Sequence, residues 1–125
     1  ERDGIWMGLV LFEYMAKSGK TLEELIEEVY GLVGAFKYWR DDLHIDEKVK
    51  NAIVNKCNKD QFKSFGKYTV QSIDKTDGFK FILSNDEWLM IRPSGTEPVL
   101  RCYAESKDLK GAKDILSACK KEIGV

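Results

Sequence analysis

An α+β fold is what this 125-residue sequence predicts: one antiparallel sheet of four to five strands with two helices on one of its faces. Three observations carry that expectation. From Phe36 onward the hydrophobic period changes from strand to helix, then to four strand-like runs in succession, then to helix again, giving the order β-α-β-β-β-β-α. Turn residues separate the four runs closely enough for hairpins, which makes antiparallel pairing the economical arrangement. Both helical segments have a single apolar stripe to bury, so both are expected on the same side of the sheet.

Two helices precede this pattern. Asp3 can cap the first, which runs through Ile5, Leu9, Phe12 and Ala16 and is apolar on its other faces too, at Trp6, Met7, Val10 and Leu11. It is expected to stop near Lys17-Ser18-Gly19, where glycine takes the left-handed cap. Thr21 and Glu24 form a capping box that opens a second helix, with Leu22, Leu25, Ile26, Val29 and Tyr30 on one face. Gly31-Leu32-Val33-Gly34 ends it, and a domain boundary is expected there, with residues 1–34 as the helical tail of a preceding domain and 35–125 as a domain of their own. Two helices without a sheet cannot bury so much apolar surface alone.

In the second part, Phe36, Tyr38 and Trp39 begin a strand that reaches Ile45, and the alternating aromatics read as core. Asp46 caps a helix with Val49, Ala52, Ile53 and Cys57 on its apolar face, followed by a polar loop from Asn58 to Gly66. The four strand runs are Lys67–Ile73, Phe79–Leu83, Glu87–Arg92 and Val99–Glu105, with Asp77-Gly78 a strong turn signal and Asn85-Asp86 a weaker one. Asp108 caps the last helix, whose stripe is Leu109, Ala112, Ile115, Leu116, Cys119 and Ile123.

Composition excludes several classes of function. Twenty basic against twenty-one acidic side chains leave a formal charge of −1, so no global field recruits nucleic acid or an acidic membrane. The apolar run from Ile5 to Phe12 is too short to span a bilayer. Cys57, Cys102 and Cys119 are odd in number and far apart, which argues against a disulfide framework or a zinc site and for a reducing cytosol. No secretory leader is visible, and the opening Glu1-Arg2-Asp3 without an initiator methionine suggests a processed or truncated product.

One stretch asks for a chemical explanation: Arg92-Pro93-Ser94-Gly95-Thr96-Glu97-Pro98, followed by Leu100-Arg101-Cys102-Tyr103. Both prolines of the chain bracket a turn with two hydroxyl residues and a glycine, and a guanidinium stands beyond each end. Proline stiffens the backbone, glycine lets main-chain N–H groups approach a ligand, and Ser94 and Thr96 add donors. Arg92 and Arg101 supply planar forks that match phosphate. The bland alternative is a rigid turn whose arginines pair with carboxylates such as Glu97 or Glu105. His44 has no ligand cluster around it, Arg40-Asp41-Asp42 reads as a solvated strand end, and the lysines of the last helix alternate with Asp114 and Glu122 as a mixed solvent face.

With this heptapeptide on a strand-to-strand loop, with Asp77-Gly78-Phe79-Lys80-Phe81 and Glu87-Trp88-Leu89-Met90-Ile91 leading into it, the sequence closely resembles the C-terminal domain of the α-D-phosphohexomutase family. That family includes phosphoglucomutase and phosphomannomutase. The opening Arg2-Asp3-Gly4-Ile5 and the capped second helix resemble the final helices of the family's third domain. The resemblance implies a fourth domain with the fold of the TATA-box-binding protein, without its DNA-binding role. It implies an enzyme that moves a phosphoryl group between C1 and C6 of a hexose through a bisphosphorylated intermediate, this domain holding the phosphate that is not reacting. Its contacts would be Arg92, Ser94, the Gly95 backbone, Thr96 and Arg101.

The family's phosphorylated serine, its D-x-D-x-D magnesium loop and its G-E-x-S-G sugar-reading loop have no counterpart here. The expectation is therefore a fragment with no catalytic or metal-binding residue, inactive alone, whose partners are the phosphosugar and the remaining domains of the same enzyme, where magnesium is bound. Neither nucleic acid nor membrane is an expected partner, and the location is cytoplasmic. Two alternatives stand beside this: the same domain of a phosphoglucosamine mutase, and a free-standing non-catalytic module for phosphorylated ligands.

Overall fold

In a computed structural model of the chain, residues 3–125 are described; Glu1 and Arg2 of the opening stretch lie outside the described residues, as does the side chain of Asn85 in the weaker turn signal. The chain divides into two compact units between Ala35 and Phe36.

The first unit holds α1 (Gly4–Ser18) and α2 (Leu22–Val33). Asp3 caps α1 by accepting the Trp6 N–H at 2.9 Å, and Gly19 closes it in the left-handed conformation at φ 68°. The capping box of α2 is complete, with the Thr21 N–H donating to Glu24 Oε2 at 2.8 Å and the Glu24 N–H to Thr21 Oγ1 at 3.3 Å. This helix continues through Gly31 and stops only at Gly34, because one glycine inside a helix costs only about 1 kcal/mol. No residue of α1 is buried; Trp6 is 63% and Phe12 70% exposed.

The second unit is one sheet and two helices. In chain order come β1 (Lys37–His44), α3 (Glu47–Asn58), β2 (Ser64–Phe65), β3 (Tyr68–Asp74), β4 (Phe79–Leu83), β5 (Trp88–Pro93), β6 (Val99–Ser106) and α4 (Leu109–Ile123). The sheet has six strands in the order β1-β6-β5-β4-β3-β2, and every pair is antiparallel. β1 thus lies on the far side of β6, and consecutive strands from β2 to β6 form a meander.

The sixth strand is β2, where a polar loop was expected. Ser64 and Phe65 pair with Thr69 and Tyr68 around Gly66, which sits at φ 57°. The loop's polarity hides two aromatic anchors. Phe62 and Phe65 are buried and close on Phe81, with the Phe65 and Phe81 ring centroids 4.9 Å apart in an edge-to-face contact.

The core lies on one face of the sheet. Phe79, Phe81 and Leu83 of β4, Leu89 and Ile91 of β5, and Leu100, Cys102 and Ala104 of β6 point into one cluster with Ile53 and Cys57 of α3 and Ala112, Ile115, Leu116, Cys119 and Ile123 of α4. Period-2 and period-3.6 patterns meet there as the sequence requires. Two expectations need correction. Phe36, Tyr38 and Trp39 are not core: all three are at least 40% exposed, because β1 is an edge strand that no helix fully covers. Tyr38 instead stacks on Tyr103 across the open face, with centroids 6.2 Å apart, and Lys113 of α4 lies over the Trp39 ring. The buried face of α3 is also rotated from the expected one. Val49 and Ala52 face solvent, and the buried stripe is Lys50, Ile53 and Cys57.

Candidate functional site

The turn from Pro93 to Pro98 joins β5 to β6 at one end of the sheet. Register sets its two guanidinium residues side by side, since Arg92 pairs directly with Arg101 and Pro93 with Leu100. Directly opposed residues share a face. Arg92 and Arg101 therefore stand together on the face opposite the helices, because the intervening Ile91, Leu100 and Cys102 are buried beneath α3 and α4.

The turn is held at its base by main-chain bonds. The Ser94 N–H donates to the Val99 carbonyl at 3.0 Å, the Val99 N–H to the Glu97 carbonyl at 2.7 Å, and the Ile45 N–H, just beyond β1, to the Pro98 carbonyl at 3.2 Å. Its tip is unused: among the described residues, the N–H groups of Gly95, Thr96 and Glu97 and the hydroxyls of Ser94 and Thr96 have no hydrogen-bond partner. Gly95 has open space where a Cβ would stand, so nothing within the chain requires a glycine at that position.

Each cation at the turn has a carboxylate beside it. Arg92 Nη2 lies 3.2 Å from Asp77 Oδ1, Arg101 Nη2 lies 3.3 Å from Glu97 Oε2, and Lys50 Nζ lies 2.9 Å from Glu47 Oε2. The bland expectation for Arg101 is met by Glu97; Arg92 turns to Asp77 and not to Glu105, which accepts from Trp88 Nε1 instead. Both arginine pairs are open to water, with side chains 45% and 33% exposed, and such pairs contribute about 0–1 kcal/mol each. Arg101 Nε is buried without an acceptor. Guanidinium forks held this loosely can exchange a carboxylate for a stronger anion.

Asp77 reaches Arg92 because Gly78 brings the β3–β4 turn against it. Gly78 is at φ 98°, and a Cβ there would stand 3.1 Å from the Ile91 carbonyl and 3.2 Å from Arg92 Cβ. The strong turn signal in the sequence is thus a neighbour of the loop in space.

Lys50 is the residue that sequence reasoning missed. It is 6% exposed, and its ammonium donates to the carbonyls of Ser94 at 3.3 Å and Glu97 at 3.1 Å. A lysine at a core position of an amphipathic helix was its only signal.

Elsewhere the chemistry is quiet. Cys57, Cys102 and Cys119 converge in the core as free thiols; burial pushes Cys57 up to about 12, and hydrogen bonding with Cys102 followed by burial raises Cys119 well above the ordinary thiol range. Thiols so protonated are poor nucleophiles. Among the described residues, no group of three or more His, Cys, Asp or Glu side chains is arranged to hold a metal ion, and no helix is long and apolar enough to cross a membrane.

Fold and loop together describe an α+β domain with an anion-receptive turn at one end of its sheet. A family profile described as phosphoglucomutase/phosphomannomutase, C-terminal domain, matches residues 42–121. A probable phosphoglucosamine mutase of Methanobrevibacter smithii is 31% identical across 97% of this chain and 26% of its own length. A phosphoglucomutase/phosphomannomutase of Thermococcus kodakarensis is 31% identical across 92% of this chain and 23% of its own, and a phosphomannomutase of Salmonella muenchen is 28% identical across 98% and 27%. The chain belongs to the phosphohexomutase family and carries its C-terminal domain. It spans about a quarter of the length of these curated relatives.

Proposed function

We propose that this chain is the C-terminal part of a phosphohexomutase that interconverts hexose 1-phosphates and hexose 6-phosphates through a bisphosphorylated intermediate, and that its loop holds the phosphate that is not reacting. The observation that carries this reading is the pairing of Arg92 with Arg101 across β5 and β6, beside a turn tip whose N–H groups are unengaged. A dianion bound there receives charge-assisted hydrogen bonds of about 1.5–3 kcal/mol each. It displaces exposed carboxylate pairs that contribute about 0–1 kcal/mol each. Phosphate wins that exchange.

In this reading Arg92 and Arg101 supply the forks, Ser94 and Thr96 the hydroxyls, and Gly95 its N–H, with no side chain to hold the ligand away. Fixing the inert phosphate also positions the reacting one, which turns binding energy into rate. The loop grips phosphate and no sugar atom, so it serves glucose, mannose and glucosamine phosphates alike, consistent with the range of names among the relatives. The phosphorylated serine, the magnesium site and the sugar contacts belong to other domains of the whole enzyme, and residues 1–34 are the helical end of the domain before this one. The exposed apolar surface of α1 supports that assignment, and the three free thiols support a reducing cytosol.

Titrating the 125-residue chain with inorganic phosphate and with glucose 1-phosphate, while following backbone amide shifts, tests the loop. Saturable shifts at Gly95 and Thr96 are expected with both ligands. Silence at those amides would sink the reading.

A further inference from the structure

A buried lysine is an expensive core residue, and α3 spends one at the position where its stripe meets the β5–β6 turn. Only about a tenth of the Lys50 side chain or less reaches solvent. All three of its donors are engaged: the Ser94 carbonyl, the Glu97 carbonyl and the Glu47 carboxylate. The two carbonyls lie 44 and 47 residues further along the chain, so the contact is a choice of the tertiary structure.

Peptide geometry gives these bonds a consequence. No peptide bond among the described residues is cis, and in a trans peptide the C=O and the following N–H point in opposite directions. Drawing the Ser94 carbonyl inward onto Lys50 turns the Gly95 N–H outward, where it has no acceptor. The Glu97 carbonyl is drawn in by the same ammonium, and the residue after it is Pro98, which has no N–H to present. The Ser94 and Glu97 carbonyls, which would repel an anion, are thus held on the protein side.

We infer that Lys50 is the positioning residue of the loop: its ammonium, without touching the phosphate, holds the Ser94 and Glu97 carbonyls inward so that the Gly95 N–H faces the anion. This rests on the reading of the loop as a phosphate site. Glu47 has the opposite part. It is 59% exposed at the side chain and neutralises Lys50 from the solvent side without touching the turn.

The test is titration of the 125-residue chain with inorganic phosphate, read at the Gly95 and Thr96 amides, in the wild type, Lys50→Met and Glu47→Gln. Lys50→Met keeps the length of the stem and removes the charge. It is expected to weaken phosphate about tenfold, as when a binding-competent loop falls to about a tenth of the population. A changed chemical shift of the Gly95 amide without ligand should accompany it, because the Ser94–Gly95 peptide is no longer held in one orientation. Glu47→Gln leaves a positive charge less screened and is expected to tighten phosphate about twofold. Charge alone would also move the two variants in opposite directions, so the signature of positioning is the ligand-free Gly95 amide, shifted in Lys50→Met and unshifted in Glu47→Gln. Unchanged affinity in Lys50→Met overturns the inference while leaving the phosphate site standing. A wild-type chain blind to phosphate overturns the site and the inference with it. Should Lys50→Met fail to fold, Lys50→Arg decides: it keeps the charge and changes the geometry of the bonds to Ser94 and Glu97, so weakened phosphate binding supports the inference and unchanged binding overturns it.

Discussion

Gly95 separates ligand geometry from protein geometry. Its φ is not in the left-handed region and a Cβ would meet nothing, so Gly95→Ala is expected to leave stability within about 0.5 kcal/mol of wild type. In the proposed phosphate site the same change sets a methyl group beside the ligand, and affinity is expected to fall by about tenfold or more, the equivalent of one lost hydrogen bond to a charged group. Thermal denaturation and phosphate titration of one variant read the two effects separately. Arg92→Ala and Arg101→Ala are each expected to cost about tenfold to a hundredfold in phosphate affinity. Glu97→Gln should gain up to about fivefold by releasing Arg101 from an exposed pair. Equal affinities across this set would mean that the turn is only a turn.

At the scale of elements, the loop depends on a neighbour that sequence order conceals. The β3–β4 turn stands against Arg92, and Gly78 permits it at φ 98° with backbone 3.1 Å from where a Cβ would be. Gly78→Ala combines a disfavoured conformation with a contact that backbone cannot relieve, and is expected to lower stability by about 1–3 kcal/mol. Urea denaturation monitored by far-UV circular dichroism checks it. A different dependence holds β2 in the sheet. Phe65 is fully buried on Phe81, so Phe65→Ala should cost about 3–5 kcal/mol, far more than its two-residue strand suggests. Both elements were partly legible: Asp77-Gly78 announced a turn but not its neighbour, and a run rich in polar residues masked the aromatic anchors within it.

For the whole molecule, one exposed carboxylate, Asp114, ties α4 to the start of β3, while another, Asp74, closes the β3–β4 turn on itself. Hydrogen bonds from Lys67 and then Tyr68 hold the Asp114 carboxyl below its usual range, and bonds from Thr76 do the same for Asp74. A folded pKa lowered relative to the unfolded chain gives stability that is complete above the unfolded value, near about 4, and is lost as pH falls through the folded one. Thermal melts of wild type and Asp114→Asn should therefore differ at pH 7 and converge toward pH 3. A gap that persists in acid would contradict the assignment. The same scale explains α1, whose apolar surface finds no burial among its own residues.

Periodicity, caps and turn residues determined locally where the helices and most strands lie, because each depends on neighbours a few residues away. Asp3, Thr21 with Glu24, Asp46 and Asp108 all cap as their positions in the sequence imply. The heptapeptide likewise announced its donors, since proline, glycine, hydroxyl and guanidinium chemistry is written residue by residue. Only the tertiary structure decided that β1 is an edge, which exposes aromatics that alternate like core. Only it decided that α3 buries Lys50 in preference to Val49. A buried ammonium is tolerated where acceptors meet it, and those acceptors are carbonyls of a turn more than forty residues away in the chain. No local pattern encodes such a partner, because it exists only once α3 and the β5–β6 hairpin have packed together.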